Sequence, residues 1–242
     1  ALTREDFCPV DQSMLPTQKG SVRLFRFAGI SVWLHWSWGL IALWALTGRQ
    51  GMYSTPLWNL VEYIGLFMIV LLHEFGHSLS CRQVGGQSDE IVLWPLGGVA
   101  YVNAPQRPGA QLWSIAAGPL VNVVLIPVLM AIDLGLRVTG LGPDSVDFWV
   151  CLASIQYINI ALLIFNILPI YPLDGGQILR SLLWFKFGLI RSLLFASAVG
   201  LVGAAGLIAL ALYWRSLWLG MLVAFLGSNS WRAFQAARSA GR

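Results

Sequence analysis

Six apolar runs, at roughly residues 30–48, 57–81, 110–132, 147–170, 188–212 and 214–235, constrain this chain more than any other feature. A helix needs about 20 mostly apolar residues to cross a bilayer, and each run is near or above that length. Charged residues make up 11% of the 242 and hydrophobic ones 57%, whereas a soluble domain carries roughly a quarter charged residues. Too little polar surface remains to face water on all sides. The expected fold class is an all-α polytopic membrane protein with about six transmembrane helices. Residues 1–29 are expected to form a cytoplasmic N-terminal segment, 30–235 a single six-span domain and 236–242 a cytoplasmic tail. The polar, mixed start argues against a cleaved secretory signal. Only a short stretch around Tyr213–Ser216 separates the last two runs, which predicts a tight helical hairpin.

Basic residues orient the spans. With six crossings both termini share a side, and that side collects twelve Lys and Arg residues against three (Arg49, Arg137 and Arg215) on the other. Both termini are therefore expected in the cytoplasm, with the protein in the cell (inner) membrane. The net charge of +4 is accounted for by these loops, and no basic-aromatic surface pattern points to nucleic acid. Cys8, Cys81 and Cys151 show no C-x-x-C spacing. They read as small hydrophobic thiols rather than a disulfide framework or a thiolate metal site.

The second run ends in "FMIVLLHEFGHSLSCR", residues 67–82. His73 and His77 are four residues apart, so one helix face presents both imidazoles to a single ion. Glu74 is placed to act on a metal-bound water rather than to ligate. This is the H-E-x-x-H arrangement, and a catalytic zinc site of this kind needs a third protein ligand. Ionisable groups inside a bilayer are expensive and mark function. His73 lies well along its span, about 22 Å from the outer end at ~1.5 Å per residue, which places the site within the membrane but nearer the cytoplasm. His35 in the first run is one candidate for the missing ligand. Asp174 in "FNILPIYPLDGGQILR" is the better one, because Pro169 and Pro172 break the fourth span beside it and Gly175 and Gly176 permit a tight turn. A broken helix at membrane depth is tolerated where it lines a polar cavity.

Two further stretches stand out. "EIVLWPLGGVAYVN", residues 90–103, is too short to span and fits a hairpin turning at Pro95 to Gly98. Gly200, Gly203 and Gly206 suit close helix approach in the fifth run.

"HEFGH" on the second span and "NILPIYPLDGG" after the fourth, with "AAGPLVN" at 116–122 between them, resemble the site-2 protease family of intramembrane zinc metalloproteases. The resemblance runs from residue 31 to about 180 and is to compact six-span members, with neither a PDZ nor a CBS domain. It implies one catalytic Zn2+ held by His73, His77 and Asp174, with Glu74 as general base. Asn166 matches the family's asparagine eight residues before the aspartate and is implied as a donor to the developing oxyanion. The resemblance also implies a membrane-associated β-hairpin after the second span, whose residues Gly97, Gly98 and Val99 would pair with an unwound substrate. His35 and Asn122 read as packing residues.

The implied activity is zinc-dependent endopeptidase cleavage in or near transmembrane segments, serving regulated intramembrane proteolysis or clearance of membrane remnants. Implied partners are a transmembrane protein substrate, the lipid bilayer and an unidentified regulatory membrane protein. Two other readings use the same residues: a zinc transporter, and a catalytically silent membrane-binding family member. A transporter has no need of Glu74 directly after His73, and the intact motif disfavours the silent member.

Overall fold

The computed structural model describes residues 20–40, 42–43, 51–94, 97–100 and 102–241. Most of the expected N-terminal segment, Cys8, the stretch 44–48 of the first expected span, Pro95 and Leu96 at the expected hairpin turn, and Arg242 lie outside them. The described residues form two compact units, one of residues 20–103 and 117–164, the other of residues 104–116 and 165–241.

The first unit begins with a β-hairpin where a membrane span was expected. Strand β1 (Ser21–Phe27) pairs antiparallel with β2 (Ile30–His35) through the two-residue turn Ala28-Gly29. Both turn residues have positive φ, 49° and 76°, the geometry whose twist matches a tight hairpin. The expectation that helix begins at residue 30 is thus corrected, and with it the all-α fold class. Over a short apolar run such as "ISVWLH", periodicity does not separate a buried strand from a buried helix. Here Ile30 and Val32 are fully buried on one face, as strand alternation requires.

The long helix α1 (Pro56–Gln83) follows, then β3 (Glu90–Trp94) and β4 (Gly97–Ala100). The sheet order is β1-β2-β3-β4, with β2 and β3 parallel and the outer pairs antiparallel. Parallel neighbours need a crossover, and α1 supplies it. The sheet packs Ile30, Val32, Ile91 and Leu93 against Val70, Leu71 and Phe75 of α1. The expected hairpin at 90–103 is present, but Gly97 and Gly98 pair with Trp94 and Leu93 as strand residues rather than turning the chain.

Arg82, in the last turn of α1, ties this layer together. Its guanidinium donates to the carbonyls of Ala28, Gly29 and Ser88 and to the carboxylate of Asp89. Asp89 is 75% exposed, so the ion pair itself contributes little, and the three carbonyl contacts carry the effect. Hydrogen bonds from charged groups are worth about 1.5–3 kcal/mol each. Arg82→Leu is expected to speed amide exchange in β1–β3 by roughly tenfold or more, and Arg82→Lys to restore little of it, since a lysine lacks the planar fork. Unchanged exchange in both variants would show that the clamp is idle.

Helix α2 (Pro108–Thr139) belongs to the first unit from residue 117 on, and α3 (Val146–Ile167) up to residue 164. Val123, Val124, Val128, Met130, Ile132 and Leu134 of α2 are 44–62% exposed. So wide an apolar face suits a lipid surrounding rather than water.

In the second unit α3 ends at Ile167, two residues before Pro169, consistent with the bias away from helix just ahead of a proline. Helices α4 (Asp174–Phe187), α5 (Leu189–Tyr213) and α6 (Leu217–Ala240) follow. The expected α5–α6 hairpin is present, turning at Trp214–Ser216 with the Ser216 hydroxyl accepting from the Leu219 N–H. The buried loop residues Ile170 and Tyr171 lie against Gly200 and Gly203 of α5, where a Cβ would come within 2.6–2.8 Å of them. Gly200 makes room both for this loop and for α6, since a Cβ there would also lie 2.7 Å from Ser230 Oγ, whereas Gly203 meets the loop alone and Gly206 has nothing within 4 Å.

Among the described residues four helices are long and apolar enough to cross a membrane: α1, α2, α3 and α5. The expected count of six is not confirmed, since part of the first run lies outside the described residues. The first run starts as strand, and α6 carries Ser228, Asn229, Ser230, Arg232 and Arg238 in its second half.

Candidate metal centre

The H-E-x-x-H residues sit on the buried face of α1. His73, Glu74 and His77 are 3%, 6% and 9% exposed. The Nε2 atoms of His73 and His77 are 3.1 Å apart, their rings nearly perpendicular at 83°. Two nitrogens bound to one tetrahedral zinc at about 2.0–2.1 Å are about 3.3 Å apart. The pair is therefore spaced as two donors of one such ion.

Helix α2 shapes this face, and it does so with a matching spacing. A Cβ on Gly118 would lie 2.2 Å from His77 Nε2 and 2.4 Å from Cε1, so the ring rests directly on bare backbone. One turn further along α2, Asn122 Oδ1 is 2.6 Å from His73 Nδ1. Residues 77 and 73 thus meet residues 118 and 122, a four-residue step on each of two antiparallel helices. Gly76 lets the helices approach this closely, since a Cβ there would meet the Ala117 carbonyl at 2.7 Å. Asn122 in turn donates from Nδ2 to Asn159 Oδ1 of α3, at 2.8 Å.

Asn122, expected as a packing residue, contacts His73, and Asn159 lies in no motif that marks it. The signal for both was a buried amide inside an otherwise apolar span, which points to function by its cost. The 118/122 spacing mirrored the 77/73 spacing but had no meaning until the two helices were paired.

Asp174 and Asn166 belong to the second unit. Asp174 is the first residue of α4, after Leu173 at the N-cap, where the helix dipole favours a carboxylate. A Cβ on Gly175 would strike the Ile167 carbonyl at 2.1 Å, and one on Gly176 the Tyr171 nitrogen at 2.5 Å. The two glycines are required because the first turn of α4 folds back onto the end of α3 at Gly175 and onto the loop that follows it at Gly176. Asn166 stands half-buried in the last turn of α3. His35 ends β2, its Nδ1 engaged by the Ser37 hydroxyl and by the Ser37 N–H at 3.4 Å. Gly97, Gly98 and Val99 lie on β4, which ends the sheet order, so one edge of it has no neighbouring strand among the described residues.

Residues 61–140 and 140–210 match the family model for peptidase family M50. This chain belongs to peptidase family M50. A zinc metalloprotease of Methanocaldococcus jannaschii, MJ0392, is 33% identical over 74% of this M50 chain and 50% of its own length. Rip3 of Mycobacterium tuberculosis is 32% identical over 91% of this chain and 58% of its own. The chain therefore spans about half the length of the curated relatives it matches. The solved site-2 protease from Methanocaldococcus jannaschii superposes with a TM-score of 0.60 at 29% identity, covering 92% of this chain and 95% of that one. The M50 chain thus has a site-2 protease fold, and the residues just described are its candidate centre.

Proposed function

We propose that this M50 chain is a zinc-dependent intramembrane endopeptidase acting on transmembrane segments of other proteins. The observation that carries the reading is the buried His73–His77 pair with its Nε2 atoms 3.1 Å apart and Glu74 beside it on α1. Asp174 is assigned as the third protein ligand, since His73 and His77 alone leave a catalytic zinc one donor short. The donor set of two imidazoles and a carboxylate suits zinc. The chemistry a zinc ion supplies at such a site is acidification of water, to a pKa of about 7, and polarisation of a carbonyl.

The rest falls to the chain's own groups. Glu74 accepts the proton of the attacking water at its carboxylate and hands it to the leaving amine. Asn166 donates its amide N–H to the oxygen on which negative charge develops. A substrate helix must unwind before its scissile amide is accessible, and the edge of β4 at Gly97, Gly98 and Val99, which has no neighbouring strand among the described residues, pairs with the unwound backbone. Both termini are assigned to the cytoplasm and the centre to the inner part of the bilayer, from the twelve-to-three bias of basic residues. Released regulators or leftover membrane segments are the products, and a further membrane protein licenses cleavage.

Reconstitution tests the reading. In liposomes holding the chain and a transmembrane substrate, a chelator is expected to stop cleavage and one zinc per chain to restore it. Cleavage indifferent to chelation, or zinc flux through the vesicles without cleavage, would overturn it.

A further inference from the structure

Asn122 and Asn159 are both fully buried, and between them they make a closed chain of hydrogen bonds that ends on His73. Each amide has two unlike ends, so which end faces which neighbour decides the chemistry. One member of the chain has no choice. The backbone carbonyl of Asn122 accepts only, and Asn159 contacts it at 3.0 Å. That contact must use the Asn159 Nδ2–H, which leaves Asn159 Oδ1 facing the Asn122 side chain. Asn122 must then present its Nδ2–H to Asn159, at 2.8 Å, and its Oδ1 to His73. An oxygen 2.6 Å from His73 Nδ1 requires that nitrogen to carry the proton. His73 Nε2 is then left with its lone pair, on the side facing His77.

We propose that Asn159 is a positioning residue: by fixing the orientation of the Asn122 amide it selects the His73 tautomer whose Nε2 lone pair binds metal. Its hydrogen bonds go to Asn122 and not to the histidine pair or Glu74. Partners that orient metal-ligating histidines in this way are worth about 10–100-fold in metal affinity. The burial makes the device necessary, because both amides are fully buried and a buried group that loses its partner bears the full desolvation cost. The inference rests on the metal reading above for its consequence, and on hydrogen-bond geometry alone for the tautomer. The rival view is that the two amides only glue α2 to α3.

A substitution cycle separates the two views. Aspartate at position 122 offers an acceptor oxygen at either end, so it cannot be turned the wrong way. Full-length protein in detergent is stripped of metal and titrated with Zn2+, and with Co2+ for its visible absorption. Asn159→Leu is expected to weaken zinc binding by roughly tenfold or more and Asn122→Leu by at least as much. Asn122→Asp is expected to bind zinc more tightly than Asn122→Leu despite its carboxylate facing Asn159 Oδ1, and Asn159→Leu, which removes that oxygen, brings no further loss in that background. An equal loss from Asn159→Leu in both backgrounds overturns the proposal in favour of helix glue, and no loss in either overturns it outright.

Nitrogen-15 shifts of metal-free protein labelled at histidine give a readout free of metal and of activity. His73 is expected as the Nδ1–H tautomer in wild type and as a mixture in Asn159→Ala, a smaller change chosen in case the leucine disturbs folding. A single unchanged tautomer in that variant overturns the proposal. Wild type that shows the tautomer but takes up no metal overturns the metal reading alone, leaving the tautomer assignment standing.

Discussion

Gly118→Ala is expected to abolish metal binding while leaving the helix that carries it intact or firmer. Alanine is a better helix former than glycine by about 1 kcal/mol, so the backbone of α2 has no reason to object. The His77 ring does. The added methyl would sit 2.2 Å from Nε2, 2.4 Å from Cε1 and 2.8 Å from Cδ2, all shorter than any real carbon contact. The ring must swing away, and with it the atom 3.1 Å from His73 Nε2. With His77 one of the three proposed protein donors, its loss is expected to lower zinc affinity by roughly 100-fold or more, beyond the range of a lost orienting partner. Cleavage falls with it. The measurement is zinc content by metal analysis beside a circular-dichroism melt: helix retained, metal gone. Full zinc occupancy in a stable Gly118→Ala protein would show that His77 is not a ligand.

The second large effect separates binding from chemistry. Glu74→Gln keeps the size of the side chain and removes its ability to take a proton. General acid–base groups contribute about 10²–10⁴-fold to rate, so cleavage is expected to fall by that factor while zinc stays at wild-type content. The two variants therefore fail in opposite ways, Gly118→Ala by losing the ion and Glu74→Gln by keeping an ion that no longer has a base beside it. Equal cleavage by Glu74→Gln and wild type would remove Glu74 from the mechanism.

The parts of the candidate centre that could be read early are those whose meaning is local. His73, Glu74 and His77 lie within two turns of one helix, and helical period alone puts the histidines on one face. Asp174 stood out for a similar reason, since two prolines and two glycines around it can only mean a broken, tightly turned chain. The Cβ distances at Gly175 and Gly176 give that turn its physical content. The contacts of Asn122 with His73 and of Asn159 with Asn122 leave no local trace because they run across helices. A lone amide in an apolar span looks the same whether it glues helices or orients a ligand.

The same division explains the first run. "ISVWLH" reads as the start of a span because its apolar character is evident in the sequence and its strand partner is not. Ser31 pairs with Glu90 and Leu34 with Leu93, a parallel contact whose two strands are separated by the whole of α1. Residues so far apart in sequence leave no short-range trace of their pairing. What the amino-acid sequence determined by itself is the solvent this chain requires, the helices that carry the histidines, and the residue types around the metal pair. Tertiary structure alone decided that a four-stranded sheet covers α1, that β4 ends the sheet among the described residues, and that Gly118 and Asn122 stand opposite His77 and His73. The physical reason is range: composition and helical period act within a few residues, whereas the orientation of an imidazole is set by atoms that only packing brings to it.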